Sequence, residues 1–206
     1  FPQSAITDLK KLISLKYESE TLEEISLSNP YEQFVKLDDG NVGIKVQYKN
    51  EEITLRPEQC ISYLLKELHT LSGLEKIESF VITVNPWWSE NQRRSILNAF
   101  KIAKIQCKCL LNSSTAAAIA YILQHRQRLP SPNQKSVNVA FVDIGGSAMT
   151  VAIAEVKQQS IQMKAVTYNE KVNGSKLTEI FENYLLQKVK EKYKIDPKDS
   201  PRAMLR

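Results

Sequence analysis

Residues 137–156 constrain this chain more than any other stretch, because a Gly-Gly pair divides two apolar runs of strand length. The run 137–142 is almost unbroken Val, Ala and Phe. Across the glycines, 150–156 alternates, with Val151 and Ile153 on one face and Ala152 and Ala154 on the other. Two strands therefore meet at Gly145-Gly146. A turn built on glycine brings backbone N–H groups close to an approaching anion, and Asp143 at its lip has the chemistry to hold a hydrated metal ion. A Gly-Gly hairpin with no ligand is the plainer reading, and the turn alone does not decide between the two.

A length of 206 residues allows one large or two small domains. The net charge of +5 reflects 28 basic against 23 acidic residues, with much of the excess in 187–206, and it does not argue for nucleic acid. No apolar run reaches membrane-spanning length, and the Phe-Pro-Gln-Ser start lacks the pattern of a signal peptide. The expectation is a soluble, cytoplasmic protein with neither nucleic-acid nor membrane partners. Three cysteines do not make a disulfide framework. Cys107 and Cys109 share a face of a strand-like run, but zinc would need further ligands, so they read as packed thiols.

Along the chain, a helix is expected around 6–17 and a loop at 28–30. A hairpin over 41–55 follows, with its turn at 49–51. Pro57 and Gly73 bracket a helix whose Ile61, Leu64, Leu65, Leu68 and Leu71 form one core stripe. A strand at 80–84 and the capping box Ser89-x-x-Gln92 lead into a helix that turns Ile96, Ala99, Phe100 and Ala103 inward. Next come a strand at 106–111 and an alanine-rich helix capped by Ser113 or Ser114. The polar linker 127–136 is the clearest boundary. Three strands (137–144, 150–156 and 160–167) then precede a helix from about 175 to 194, which carries Leu177, Ile180, Phe181, Tyr184, Leu185 and Val189 on one side.

This order, with Asp143-x-Gly145-Gly146 at the first turn of the last three strands, resembles the actin-like ATPase fold with its ribonuclease H-like motif, an α/β architecture of two lobes. Residues 80–84, Gln92-Arg93, Lys101-Ile102-Ala103 and 115–121 are similar to the nucleotide-binding domain of the 70-kilodalton heat-shock chaperones. Residues 43–48, 141–148, 192–196 and 202–206 resemble the 110-kilodalton branch, whose members act as nucleotide-exchange factors and holdases. The resemblance implies an internal fragment, comprising most of lobe I plus the first half of lobe II. It divides into a peripheral subdomain at 1–56, a lobe I core at 57–128 and a lobe II core at 129–206.

The resemblance also implies a site. Lys10 matches the lysine near the γ-phosphate, and Asp143 the carboxylate near metal and attacking water. Gly145, Gly146 and Ser147 match the phosphate-contacting turn, and Gly174 a glycine opposite it. The implied ligands are ATP or ADP with Mg2+ in the full-length parent, with weak or no binding by the fragment. Departures fall on the chemistry: the family's Asn-Glu-Pro-Thr hinge reads Asn112-Ser113-Ser114-Thr115, its second aspartate is Thr150, and Ser147 and Ala148 replace glycine and threonine. Losing carboxylates weakens metal placement and water activation, so hydrolysis is expected to be slow or absent. The implied partners are a 70-kilodalton chaperone and unfolded clients. An ATP-hydrolysing folding chaperone, another actin-fold enzyme such as a sugar kinase, and a pseudo-domain without nucleotide are the alternatives.

Overall fold

The computed structural model describes residues 5–29, 31–73 and 79–196. The chain groups into two compact units, Phe1–Leu111 and Asn112–Arg206. The resemblance stretch 202–206 lies outside the described residues.

The first unit opens with α1 (Leu9–Leu12) and α2 (Glu20–Ser28), then an antiparallel sheet in the order β1 (Gln33–Lys36), β2 (Val42–Tyr48), β3 (Glu51–Leu55). The helix expected over 6–17 shrinks to the four residues of α1. Its continuation is captured by the sheet region instead: Val42 N donates to Leu15 O (3.0 Å) and Tyr17 N to Gly40 O (3.1 Å). Those bonds compete with further helical turns. Leu12 and Ile13, adjacent in sequence, then enter two different apolar clusters.

Helix α2 has a sequence rationale, since Ser19 accepts a hydrogen bond from Leu22 N and Glu20 and Glu23 sit in the first turn. Its Leu22 and Ile25 pack with Leu12, Val42, Ile44 and Cys60. The β2–β3 hairpin turns at Lys49-Asn50, both with positive φ (49° and 67°), as a two-residue turn favours. Gly43 permits a close approach in β2, because a Cβ there would lie 2.7 Å from Leu37 Cδ2.

Helix α3 (Pro57–Leu71) begins with Pro57 at its first turn and Arg56 N bonded to Gln59 Oε1 at 2.8 Å. Its expected leucine stripe splits. Cys60, Ile61 and Leu65 are buried, whereas Leu64, Leu68 and Leu71 are exposed. The contact with α4 (Glu90–Ala103) uses only the first line of side chains, so the neighbouring line is left uncovered among the described residues.

Strand β4 (Phe80–Val84) pairs with β5 (Cys107–Asn112), and α4 connects them. Ser89 and Gln92 form the expected capping box, and Ile96, Ala99, Phe100 and Ala103 are buried as anticipated. Arg93 ties the preceding loop together by donating to Trp88 O (3.1 Å), Asn85 O and Pro86 O (both 3.2 Å).

In the second unit, α5 (Ser113–His125) starts from Asn112 without a side-chain cap bond, so neither Ser113 nor Ser114 is the cap. It covers one face of the antiparallel meander β6 (Val137–Ile144), β7 (Met149–Lys157), β8 (Ser160–Asn169). Ile122, Leu129, Ala154 and Val156 form the buried centre, flanked by Tyr121, Val139 and Phe141. The polar linker is anchored rather than free. Leu129 is in that core and Gln158 N donates to Pro130 O at 3.0 Å. The two-unit division accordingly falls before α5, and the alanine-rich helix, assigned from sequence to the 57–128 segment, packs on the strands that follow it.

Two apolar surfaces of this unit stay open among the described residues. Val142, Ile144, Ile153, Val166 and Tyr168 are exposed along the meander, and α6 (Gly174–Tyr193) buries none of its residues. The expected stripe Leu177, Ile180, Phe181, Tyr184 and Leu185 is present on α6 but faces no core here.

Candidate functional site

The pairing of β6 with β7 is regular from Val137↔Val156 to Ile144↔Met149, which delivers residues 145–148 as a compact bend. Gly145 N donates to Ala148 O at 3.0 Å and closes it. The bend is then fastened to the start of α6. Gly174 N donates to Gly145 O (2.9 Å), Ser175 N to Gly146 O (3.2 Å), and Ser175 Oγ to the same Gly146 carbonyl (2.8 Å). Glycine is not required for this contact, since a Cβ at 174 would stand 3.5 Å from Gly145 O and 3.6 Å from Gly146 Cα, both ordinary van der Waals separations.

Asn173 completes the fastening. It is only 8% exposed, its Oδ1 accepts from Lys176 N (2.7 Å), and its Nδ2 donates to Glu170 O (2.6 Å) and Ser147 O (3.4 Å). In the family resemblance Asn173 stands in place of a glycine beside Gly174. Its cap role was legible, because asparagine directly before a helix start is among the favoured N-cap residues. The hydroxyl of Ser175 gave no comparable signal, since its partner is 29 positions away in sequence.

These bonds sort the bend's amides. Those of Gly145 and Gly174 are used within the protein, and the first turn of α6 is satisfied by carbonyls and Asn173. The Gly146 and Ser147 amides donate to no group among the described residues. Gly146 is also exposed, lacks a positive φ, and has nothing within 4 Å of a notional Cβ. Neither backbone conformation nor internal packing requires glycine there. Unencumbered approach by a ligand is a reason that survives.

Asp143 lies two residues before the bend on β6, exposed, and its carboxylate makes no hydrogen bond or ion pair among the described residues. Its cross-strand partner is the buried Thr150. Residues directly opposite in an antiparallel pair share a face. This position thus offers one carboxylate and one hydroxyl where two carboxylates would bind a cation more tightly. One carboxylate next to two uncommitted amides has the chemistry for Mg2+, which commonly takes one or two carboxylates and completes its sphere with water and phosphate oxygens.

The structure brings together Asp143, Gly145, Gly146, Ser147 and Gly174. Lys10 belongs to the other compact unit, as an exposed residue of the short α1.

The Hsp70 protein family profile matches residues 2–206. Human heat shock 70 kDa protein 4L is 31% identical over 207 residues, covering 99% of this chain and 24% of that protein. Human heat shock 70 kDa protein 4 is 34% identical over 191 residues, covering 91% of this chain and 23% of the relative. Heat shock protein 110 of Caenorhabditis elegans is 30% identical over 209 residues, at 99% and 27% coverage. The chain therefore spans about a quarter of the length of these curated relatives.

Proposed function

The chain belongs to the Hsp70 protein family, and on that premise we propose that it serves a 110-kilodalton-type member as part of a domain that binds ATP with Mg2+ but hydrolyses it slowly or not at all. Its α/β architecture is that of the family's actin-like ATPase nucleotide-binding domain. The observation that carries the proposal is the bend at 145–148: amides remain on offer at Gly146 and Ser147, while the residue opposite Asp143 is Thr150.

Phosphate oxygens would accept from the Gly146 and Ser147 amides, which cost no reorganisation because Asn173 and Ser175 already hold the bend. Asp143 would hold the Mg2+, whose contribution is to neutralise phosphate charge. With Thr150 opposite in place of a second carboxylate, the position has no further carboxylate to orient an attacking water or accept its proton while Asp143 holds the metal. Binding thus survives where turnover fades. Lys10 enters as the γ-phosphate lysine on the family resemblance alone.

In this reading ATP stabilises a shape that engages a partner, and the natural protein acts in the cytoplasm as a nucleotide-exchange factor or holdase beside a 70-kilodalton chaperone and its unfolded clients. The names of the relatives, heat shock 70 kDa protein 4 and heat shock protein 110, support this assignment. Calorimetry of the natural protein carrying these residues should give saturable heat with ATP and magnesium, with ATP turnover far below that of a 70-kilodalton family chaperone assayed alongside. Equal turnover that is abolished by Asp143→Ala would instead establish the ATP-hydrolysing chaperone. Absence of heat at high protein concentration would leave a scaffold without nucleotide.

A further inference from the structure

We propose that Cys107 and Cys109, alternate residues of β5, form a two-thiolate binding site for a soft monovalent cation, Cu(I). Positions i and i+2 of a strand project to the same face. Both cysteines are free thiols, with Cys109 exposed and Cys107 half-buried against the α3–α4 core. The Cys107 thiol leans along the strand toward its neighbour, donating to the Cys109 carbonyl oxygen at 3.6 Å. One ligand is thus held by packing while the other stays open to solvent, which gives an entering ion a path.

Bond lengths favour an inserted ion over a disulfide. Two residues of strand separate the α-carbons by about 6.6 Å, at the upper edge of the roughly 4.4–6.8 Å that disulfides span and beyond their mode of about 5.5–6 Å. An ion between the sulfurs replaces one S–S bond of about 2.0 Å by two metal–sulfur bonds, so the longer bridge suits the extended backbone. Ligand number selects the ion. Structural zinc takes four protein ligands, and no group of three or more His, Cys, Asp and Glu side chains able to hold a metal occurs among the described residues. Two thiolates alone match the low coordination and softness of Cu(I).

On binding, each S–H releases its proton to solvent and two Cu–S bonds form. Copper stays in the +1 state, so nothing is oxidised or reduced. Cys60 does not compete, because it is buried in a different cluster with its thiol pushed up to about 11.

The test is an anaerobic titration of this chain against the coloured Cu(I)–bicinchoninate complex. The chain should withdraw one equivalent of Cu(I), and Cys107→Ser or Cys109→Ser should each weaken binding by more than the roughly 10–100-fold that losing an outer-sphere partner costs. Cys60→Ala should leave the stoichiometry unchanged. In the unmutated chain, Cu(I) should protect Cys109 from iodoacetamide, read by peptide mass spectrometry, which needs no variant to fold. An unbleached complex, retention of the equivalent by the double Cys107→Ser/Cys109→Ser variant, or unprotected Cys109 in the loaded chain would overturn the proposal.

Discussion

The two compact units of this chain are held together in different ways. In the first, buried side chains from α1, α2, α3, α4 and β2 close two apolar clusters, and Phe100, the largest fully buried residue, is only 2% exposed. In the second, one cluster under α5 covers a single face of the meander, while Phe181 on α6 is 61% exposed. What secures the start of α6 is polar: Asn173 and Ser175 grip the carbonyls of the 145–148 bend. Apolar burial is non-directional and sets how much stability a region has. Hydrogen bonds are directional and fix geometry at modest net gain. The first unit thus behaves as a frame, and the second invests its specific bonds where phosphate is proposed to bind.

The contrast breaks most visibly at the two phenylalanines. Phe100→Ala should cost about 3–5 kcal/mol as a core truncation, whereas Phe181→Ala should stay within about 0.5 kcal/mol as an exposed change. Denaturant titration of both variants measures this, and equal losses would mean that α6 is packed in solution. A smaller effect, about 1–2 kcal/mol, is expected for Asn173→Ala through loss of the helix cap. Hydrogen exchange should then accelerate at Lys176 and Ser175, and unchanged protection would show that the bend does not depend on Asn173.

Gly146→Ala should shift stability in the opposite direction, stabilising by at most about 1 kcal/mol, because its φ is not positive and a Cβ meets nothing. If the polar grip exists to present amides to phosphate, the same change should weaken ATP binding by the natural protein. Calorimetry beside a thermal melt separates the two effects, and unaltered ATP affinity would remove Gly146 from the proposed site.

Much of the site's local geometry is legible in the sequence alone. The 137–156 pattern anticipated both strands and the bend, and Ser89-x-x-Gln92 anticipated the start of α4. Those signals are local, carried by residues within a few positions of one another. The region before residue 37 was read less well. Its apolar spacing suggested one longer helix, whereas bonds to residues 40 and 42 halt α1 and the Ser19 cap starts α2. Leucine spacing on α3 likewise could not reveal which line of side chains meets α4, since both lines have helical periodicity.

By itself, the sequence determined the order of strands and helices from residue 41 onward, the family, and the retention of Asp143-x-Gly145-Gly146 beside Thr150, because these depend on residue type and short spacing. Only the tertiary structure decided that Gly145 spends its amide on Ala148 O and Gly174 its amide on Gly145 O, while Gly146 and Ser147 keep theirs. It alone set Asn173 as the clasp and grouped α5 with the strands after it. The physical reason is that a hydrogen-bond donor is committed or available according to which acceptors the folded chain brings within about 3 Å of it, and for Asn173, Gly174 and Ser175 those acceptors lie far away along the sequence.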